Sequence, residues 1–249
     1  MKSFNRTIAL AMGPLAVILL WWLLSQVGAI DPVFLPSPGN VARAFIGLFN
    51  GAFLWGHLVP SFFRVTAAFL LSVLIAFFVA VLCSQLAWVA RLVEPVFGFT
   101  RYLPVAALVP LCILWFGIED EQKIAVIAIG VVFQLTLLFV FDFLKVPQEL
   151  VEAGRTFGLS RFQVVYRVVL PAAMPAVWDD MRISAGWAWS YLVLAELVAG
   201  NRGLGYFVVQ SQRYLDIDNV FAGILFIGLL GAMTDGIFRI TALRLFRWM

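Results

Sequence analysis

Charge is scarce in this sequence. Only 12% of its 249 residues are Asp, Glu, Lys or Arg, while 63% are hydrophobic and mean hydropathy is +0.99. A soluble domain averages about 25% charged and roughly 45–50% apolar residues, so the chain belongs to the membrane class. A net charge of +3 is too small to argue for nucleic acid. There is one histidine, His57, without a second His or Cys near it, which leaves no metal-ligand pattern and reads as a surface or interfacial residue. The two cysteines, Cys83 and Cys112, fall in apolar runs without a spacing pattern and read as small buried hydrophobes. The lysines Lys2, Lys123 and Lys145 all lack the glycines of GxxxxGK[ST], so no phosphate-cradling loop is present. HExxH and GxSxG are absent too, and with them the motif basis for a membrane hydrolase.

What the chain has is long apolar runs. A helix needs about 20 mostly apolar residues to cross the hydrocarbon. Six segments qualify or nearly do: Thr7–Val27, Val65–Gln85, Pro95–Gly117, Ile124–Phe143, Ala173–Val198 and Val220–Ile240. Arg101 and Pro104 interrupt the third, which predicts a kink or an interfacial start. The fifth begins with Asp179, Asp180 and Arg182, which puts its membrane entry near Ile183. Lys2 and Arg6 precede the first run, and Val27-Gly28-Ala29 faintly resembles a cleavage site. That run is longer than the h-region of a signal peptide, so it reads as a retained helix. Nine tryptophans, many near span ends, suit interfacial anchoring.

Basic residues orient the chain. With the N-terminus inside, Lys2, Arg6, Arg91, Lys145, Arg155, Arg161, Arg167, Arg239, Arg244 and Arg247 are cytoplasmic. Arg43, Arg64, Lys123, Arg202 and Arg213 are outside. Ten against five places both termini in the cytoplasm. Between the first two spans, Val41–Phe49 has the pattern of a short amphipathic helix, and Gly47 and Gly51 give a GxxxG spacing. Asn201–Asn219 is the other long outside segment. With no internal repeat and no low-complexity tail, residues 1–249 read as one membrane domain: an all-α polytopic helix bundle of about six spans in a lipid bilayer, its core at about 60–245.

One polar insert stands out between spans four and five, within residues 145–171. Pro147 lies near the start of a short helix, with Glu149 in its first turn and Arg155 in its last, and Gly158 stops it. Ser160 and Gln163 form a capping box for a second helix, and Leu159 and Val164 have the spacing of a hydrophobic staple. Phe162, Val165, Tyr166 and Val169 then make one apolar stripe, which Pro171 ends. Two capped helices around a glycine bend suit either an interfacial element on lipid headgroups or a docking element for a soluble partner.

The letters themselves favour the second. Glu152-Ala153-Gly154, three residues, Gly158, nine residues and Val168-Val169-Leu170-Pro171 resemble the EAA motif of ABC importer permeases. Gly154 stands where that motif has its second alanine, and Val168 where it has isoleucine. Glu94-Pro95, Arg101, Pro104, Pro110-Leu111, Trp115-Phe116-Gly117, Arg182-Ile183, Ala195-Glu196 and Gly203-Leu204-Gly205 resemble the nitrate/sulfonate/taurine-type permeases. Trp178-Asp179-Asp180 with Trp187-Ala188-Trp189 looks nearer to nitrate-type members. The resemblance implies an inner-membrane permease that pairs with a second permease copy. It implies two ATPase subunits, carrying ATP and Mg, docked on the insert, and an extracytoplasmic binding protein that delivers a small solute. It also assigns ATPase coupling to Glu152, Ala153, Gly158, Leu159, Phe162, Leu170 and Pro171.

Polar residues at membrane depth are costly and mark pathways or helix contacts. Arg101, Gln134, Thr136, Ser184, Ser190 and Glu196 are the candidates. Arg101 could attract an anion, pair with Glu196 or snorkel to the interface, and Glu196 could make a structural hydrogen bond instead. The alternative class is a gradient-driven secondary transporter or channel, but repeated halves and broken spans at matching positions are not seen.

Overall fold

The computed structural model describes residues 2–27, 31, 33–198 and 200–247, with side-chain surroundings from residue 12 onward. Gly28 and Ala29, in the cleavage-like triplet, lie outside the described residues, as do the side chains of Lys2 and Arg6. The described residues are helical, and the helices run in chain order as α1 (Lys2–Gln26), α2 (Pro38–Gly47), α3 (Gly51–Gln85), α4 (Ala87–Thr100) and α5 (Val105–Phe116). They continue as α6 (Asp120–Leu144), α7 (Gln148–Thr156), α8 (161–197), α9 (Leu204–Arg213) and α10 (Ile217–Leu245).

α3, α6 and α10 are each long and apolar enough to cross a bilayer alone. α4 and α5 form a further span broken by a 103° bend over Arg101–Pro104. Proline at 104 removes a donor and biases Leu103 away from the helical region, so the break falls where the sequence predicts a kink. α8 and the more peripheral α1 bring the total to about six. α6 is the hub, packed against α3, α8, α5 and α4. Val126, Ile127, Val131, Leu135 and Phe139 of α6 are buried. A helix apolar on every side is the one that others surround. On the outer helices Leu70, Leu74, Phe78, Ile224 and Leu229 stay exposed, as a lipid-facing surface requires. Cys83 and Cys112 are free and buried, as apolar runs predict.

Three expectations need correction. The second span begins at Gly51 rather than Val65, because a π-helical turn at Leu54–Leu58 carries the helix into Pro60. Pro171 likewise does not end the second insert helix. A π turn at Val165–Val169 joins Arg161–Val164 to Leu170–Leu197, so the insert runs directly into the fifth span. The wider turn makes room for the proline ring against the preceding carbonyls, which an α-helix would not. The apolar stripe is split by the same turn. Val164, Val165 and Val169 are buried, while Phe162 and Tyr166 point out. The outside segment 201–219 contains α9.

Candidate functional site

The insert is built as its end chemistry dictates. Glu149 and Arg155 occupy the first and last turns of α7. Gly158 has φ +81°, a left-handed conformation that favours glycine. Ser160 and Gln163 complete the reciprocal capping box. Gly154 is buried at the crossing of α7 and α8. A Cβ there would lie 3.1 Å from Val168 Cγ2 and 3.6 Å from both Leu159 and Val164. The two positions that depart from the EAA pattern thus face each other across this crossing. Gln85, at the end of α3, donates to the Arg161 carbonyl at 3.3 Å, tying the insert to a neighbouring span.

The outward surface of this insert is unusual for a polar end. Phe157 is 85% exposed, Phe162 69% and Tyr166 66%. Glu152, Ala153, Arg155, Arg161 and Pro171 are exposed around them, while Leu159 and Leu170 are half-buried. Three open rings framed by both signs of charge have the composition of an interface core and rim rather than of a solvated loop.

The opposite end of the bundle is closed by a buried ionic cluster. Arg64 Nη1 donates to Glu196 Oε1 at 2.6 Å and to the Arg202 carbonyl at 2.9 Å. Its other face meets Asp120 at 2.5 and 2.9 Å. Ser61 donates to Glu196 Oε1 and accepts from the Leu204 amide, while the Gly205 amide donates to Glu196 Oε2. Lys123, also buried, donates to the carbonyls of Ile118 and Glu119. Glu196 is fully buried, so its partner is Arg64 and not Arg101. His57 belongs to the same corner. Its Nδ1 lies 3.1 Å from the Gly203 carbonyl, and its ring packs against Phe53, Tyr206 and Phe207. It is therefore half-buried in a helix-to-loop contact rather than a surface residue.

Among the other expected pathway residues, Thr136 is fully buried and donates to the Val132 carbonyl of its own helix. Ser184 is fully buried as well. Ser190 is exposed on α8. Arg101 and Gln134 are brought together at the α4–α5 break, where Arg101 Nη1 donates to Gln134 Oε1 at 3.5 Å. Arg101 also donates to Tyr102 Oη at 2.9 Å, with its guanidinium 4.9 Å from that ring. They border a cavity of about 220 Å³ that Trp187 and Tyr191 also line.

Sequence reasoning missed the Arg64–Asp120–Glu196 cluster. Its signal was an arginine and two carboxylates at the ends of apolar runs, but Arg64 passed as an ordinary loop charge. Trp187 and Tyr191 were missed as cavity walls because a helix apolar on most sides does not show in its letters which side faces the α4–α5 break.

An all-helical bundle with a broken span and a two-helix polar insert defines a class of membrane transport subunit. Residues 72–247 match the family described as binding-protein-dependent transport system inner membrane component, and the chain belongs to that family. It is 33% identical over 250 residues to the taurine transport system permease protein TauC of Escherichia coli, covering 98% of this chain and 91% of that one. It is 30% identical over 235 residues to the putative aliphatic sulfonates transport permease protein SsuC of Bacillus subtilis, covering 94% and 85%. In fold it resembles a subunit of the inward-facing MetNI methionine ABC transporter, with TM-score 0.68, 18% identity and coverage of 78% of this chain and 98% of that one. The chain is a permease subunit of a binding-protein-dependent ABC importer, a multi-pass membrane protein and not itself an enzyme.

Proposed function

We propose that this permease works as one of two copies that enclose a path for a small sulfonate-type solute, driven by two ATPase subunits on the α7–α8 insert. The observation that carries the coupling reading is the insert itself. Its glycine bend, capping box and exposed Phe157, Phe162 and Tyr166 make a rigid projection, and the π turn joins it without a break to the fifth span. A push on the insert therefore moves a membrane-crossing helix. ATP and Mg reside on the partner, since this chain has no phosphate-cradling loop. Glu152 and Ala153 stand on the docking face, Gly158 sets its angle, and Leu159, Leu170 and Pro171 join it to the bundle.

The excess of basic residues supports a cytoplasmic side for this insert and for both termini. Two of the five cations counted as outside, Arg64 and Lys123, are buried in ion-pair and carbonyl contacts, which sharpens the asymmetry of free charge. At the other end a cavity of about 710 Å³, bordered by Asn40, Arg43, His57, Asp216 and Asp218, opens toward the side from which a binding protein would deliver solute. The sulfonate class rests on the names of the relatives. They are named for taurine and sulfonates, so the leaning of Trp178-Asp179-Asp180 toward nitrate-type members finds no support among them. Uptake of labelled taurine and of ethanesulfonate should be restored in a deletion strain by this chain with its ATPase and binding protein. Uptake of neither, with a third solute carried instead, would overturn the substrate class.

A further inference from the structure

Two cavities lie along one face of the bundle, and they share two residues. The 220 Å³ cavity is bordered on α6 by Ile129, Gly130, Phe133 and Gln134. A second, of about 450 Å³, is bordered on the same helix by Gln134, Leu137, Leu138, Phe141 and Leu144. α4 and the residue that follows it behave the same way, with Thr100 and Arg101 bordering the first cavity and Glu94, Gly98 and Arg101 the second. The cavities therefore follow one another along the helices, with Arg101 and Gln134 between them. From residue 129 to residue 144 of α6 is about 22 Å at 1.5 Å per residue, most of the roughly 30 Å hydrocarbon thickness.

We propose that Arg101 and Gln134 form an anion-passing gate between an outer and an inner chamber in series. This rests on the permease reading of the chain and on its orientation, which makes the 220 Å³ chamber the outer one. Three features carry it. Within one copy Arg101 is exposed and has no carboxylate partner within ion-pair distance among the described residues, so its charge is open to an anion. Its contact with Gln134 is long, at 3.5 Å, and involves a neutral acceptor, so a sulfonate oxygen can replace it with a stronger charge-assisted bond. The helix break at Arg101–Pro104 puts this side chain on the corner of the 103° bend, where a change of bend moves it. Trp187 and Tyr191 wall the outer chamber against the alkyl part of the solute. Tyr191 comes close because residue 130 is glycine, where a Cβ would lie 2.6 Å from the ring. Sequential chambers explain how a cation at membrane depth aids transit instead of trapping the anion: the solute leaves Arg101 for a larger space, and the Glu94 carboxylate at its border keeps an anion from lodging there.

The test uses the complete transporter in energised membrane vesicles, with Cys83→Ala and Cys112→Ala. Single cysteines at Leu108, in the outer chamber, and Leu138, in the inner one, are reacted from outside with methanethiosulfonate reagents of equal size and opposite charge. The expected result is that Leu138→Cys favours the anionic reagent by on the order of tenfold. Arg101→Gln removes this preference at Leu138→Cys and Arg101→Lys retains it, while reaction at Leu108→Cys continues in all three backgrounds. An unchanged preference in Arg101→Gln would overturn the gate, as would reaction at Leu138→Cys with none at Leu108→Cys. Ethanesulfonate uptake by the vesicles is measured in parallel. If the charge preference is present but ethanesulfonate is not carried, the substrate reading fails and the gate stands. If ethanesulfonate is carried and the preference is absent, the gate fails alone.

Discussion

Arg64 Nη1 and Glu196 Oε1 stand 2.6 Å apart, and both side chains are at most 1% exposed. Residue 64 lies on the second span and residue 196 at the end of the fifth, so one ion pair ties two distant parts of the chain. Removing one partner of a buried pair typically costs about 3–5 kcal/mol, because the other charge is left uncompensated. Arg64→Leu should therefore lower the thermal stability of the purified permease sharply. Adding Glu196→Gln should restore much of it, since the fully buried charge is gone, while the part-exposed Asp120 keeps Arg202 as a partner. A melting temperature that falls further in the double variant would contradict this pairing.

Gly203 makes the same cluster intolerant of bulk. Its φ is +121°, and a Cβ there would collide with the Glu196 carboxylate. Gly203→Ala should destabilise the protein by about 2 kcal/mol or more, and Gly117→Ala by less. Gly117 also has a positive φ, of 76°, but open space around it. Comparing the two by thermal unfolding separates backbone strain from collision.

At the insert, Gly158→Val should reach the membrane in near-normal amounts yet lose uptake. The strain at φ +81° is about 1–2 kcal/mol and is confined to the bend, while the flanking spans are held by lipid burial. Glu152→Lys reverses a charge on the exposed face, and Phe162→Ala removes an exposed ring. Both should retain less ATPase on purification. Normal uptake by all three variants would reduce the insert to a helix lying on headgroups.

A cysteine at the exposed Ser190 should change its reactivity with nucleotide if two copies close a path between them. One at the fully buried Ser184 should stay unreactive throughout. Reporter fusions after Lys145 and after Arg247 should both read as cytoplasmic. An outside reading at Lys145 would remove the docking reading altogether.

The local chemistry of the insert was legible because it depends on neighbours in sequence. Ser160 caps with Gln163 and Gly158 stops α7, each within a single turn. The kink at Pro104 was legible for the same reason. The ion cluster was not, because Arg64, Asp120 and Glu196 are separated by 56 and 132 residues from their partners. Helical periodicity also failed at a definite point. A stripe drawn at 3.6 residues per turn loses its phase where the turn widens at Val165–Val169. That is why Phe162 and Val169, expected on one face, lie on opposite ones.

The widened turns at Leu54–Leu58 and Val165–Val169 each stand just before a proline, Pro60 and Pro171. A π turn accommodates one residue more than an α-helix would over the same axial length. Deleting a single residue from Val165–Val169 would regularise the helix and leave both the depth and the facing of the insert almost unchanged, since the π turn fits its surplus residue into about the same rise and rotation. The cost would fall on Pro171, whose ring would press on the carbonyl one turn before it. One surplus residue is thus what lets a proline sit between the docking face and the membrane-crossing part of this permease without breaking the rod that joins them.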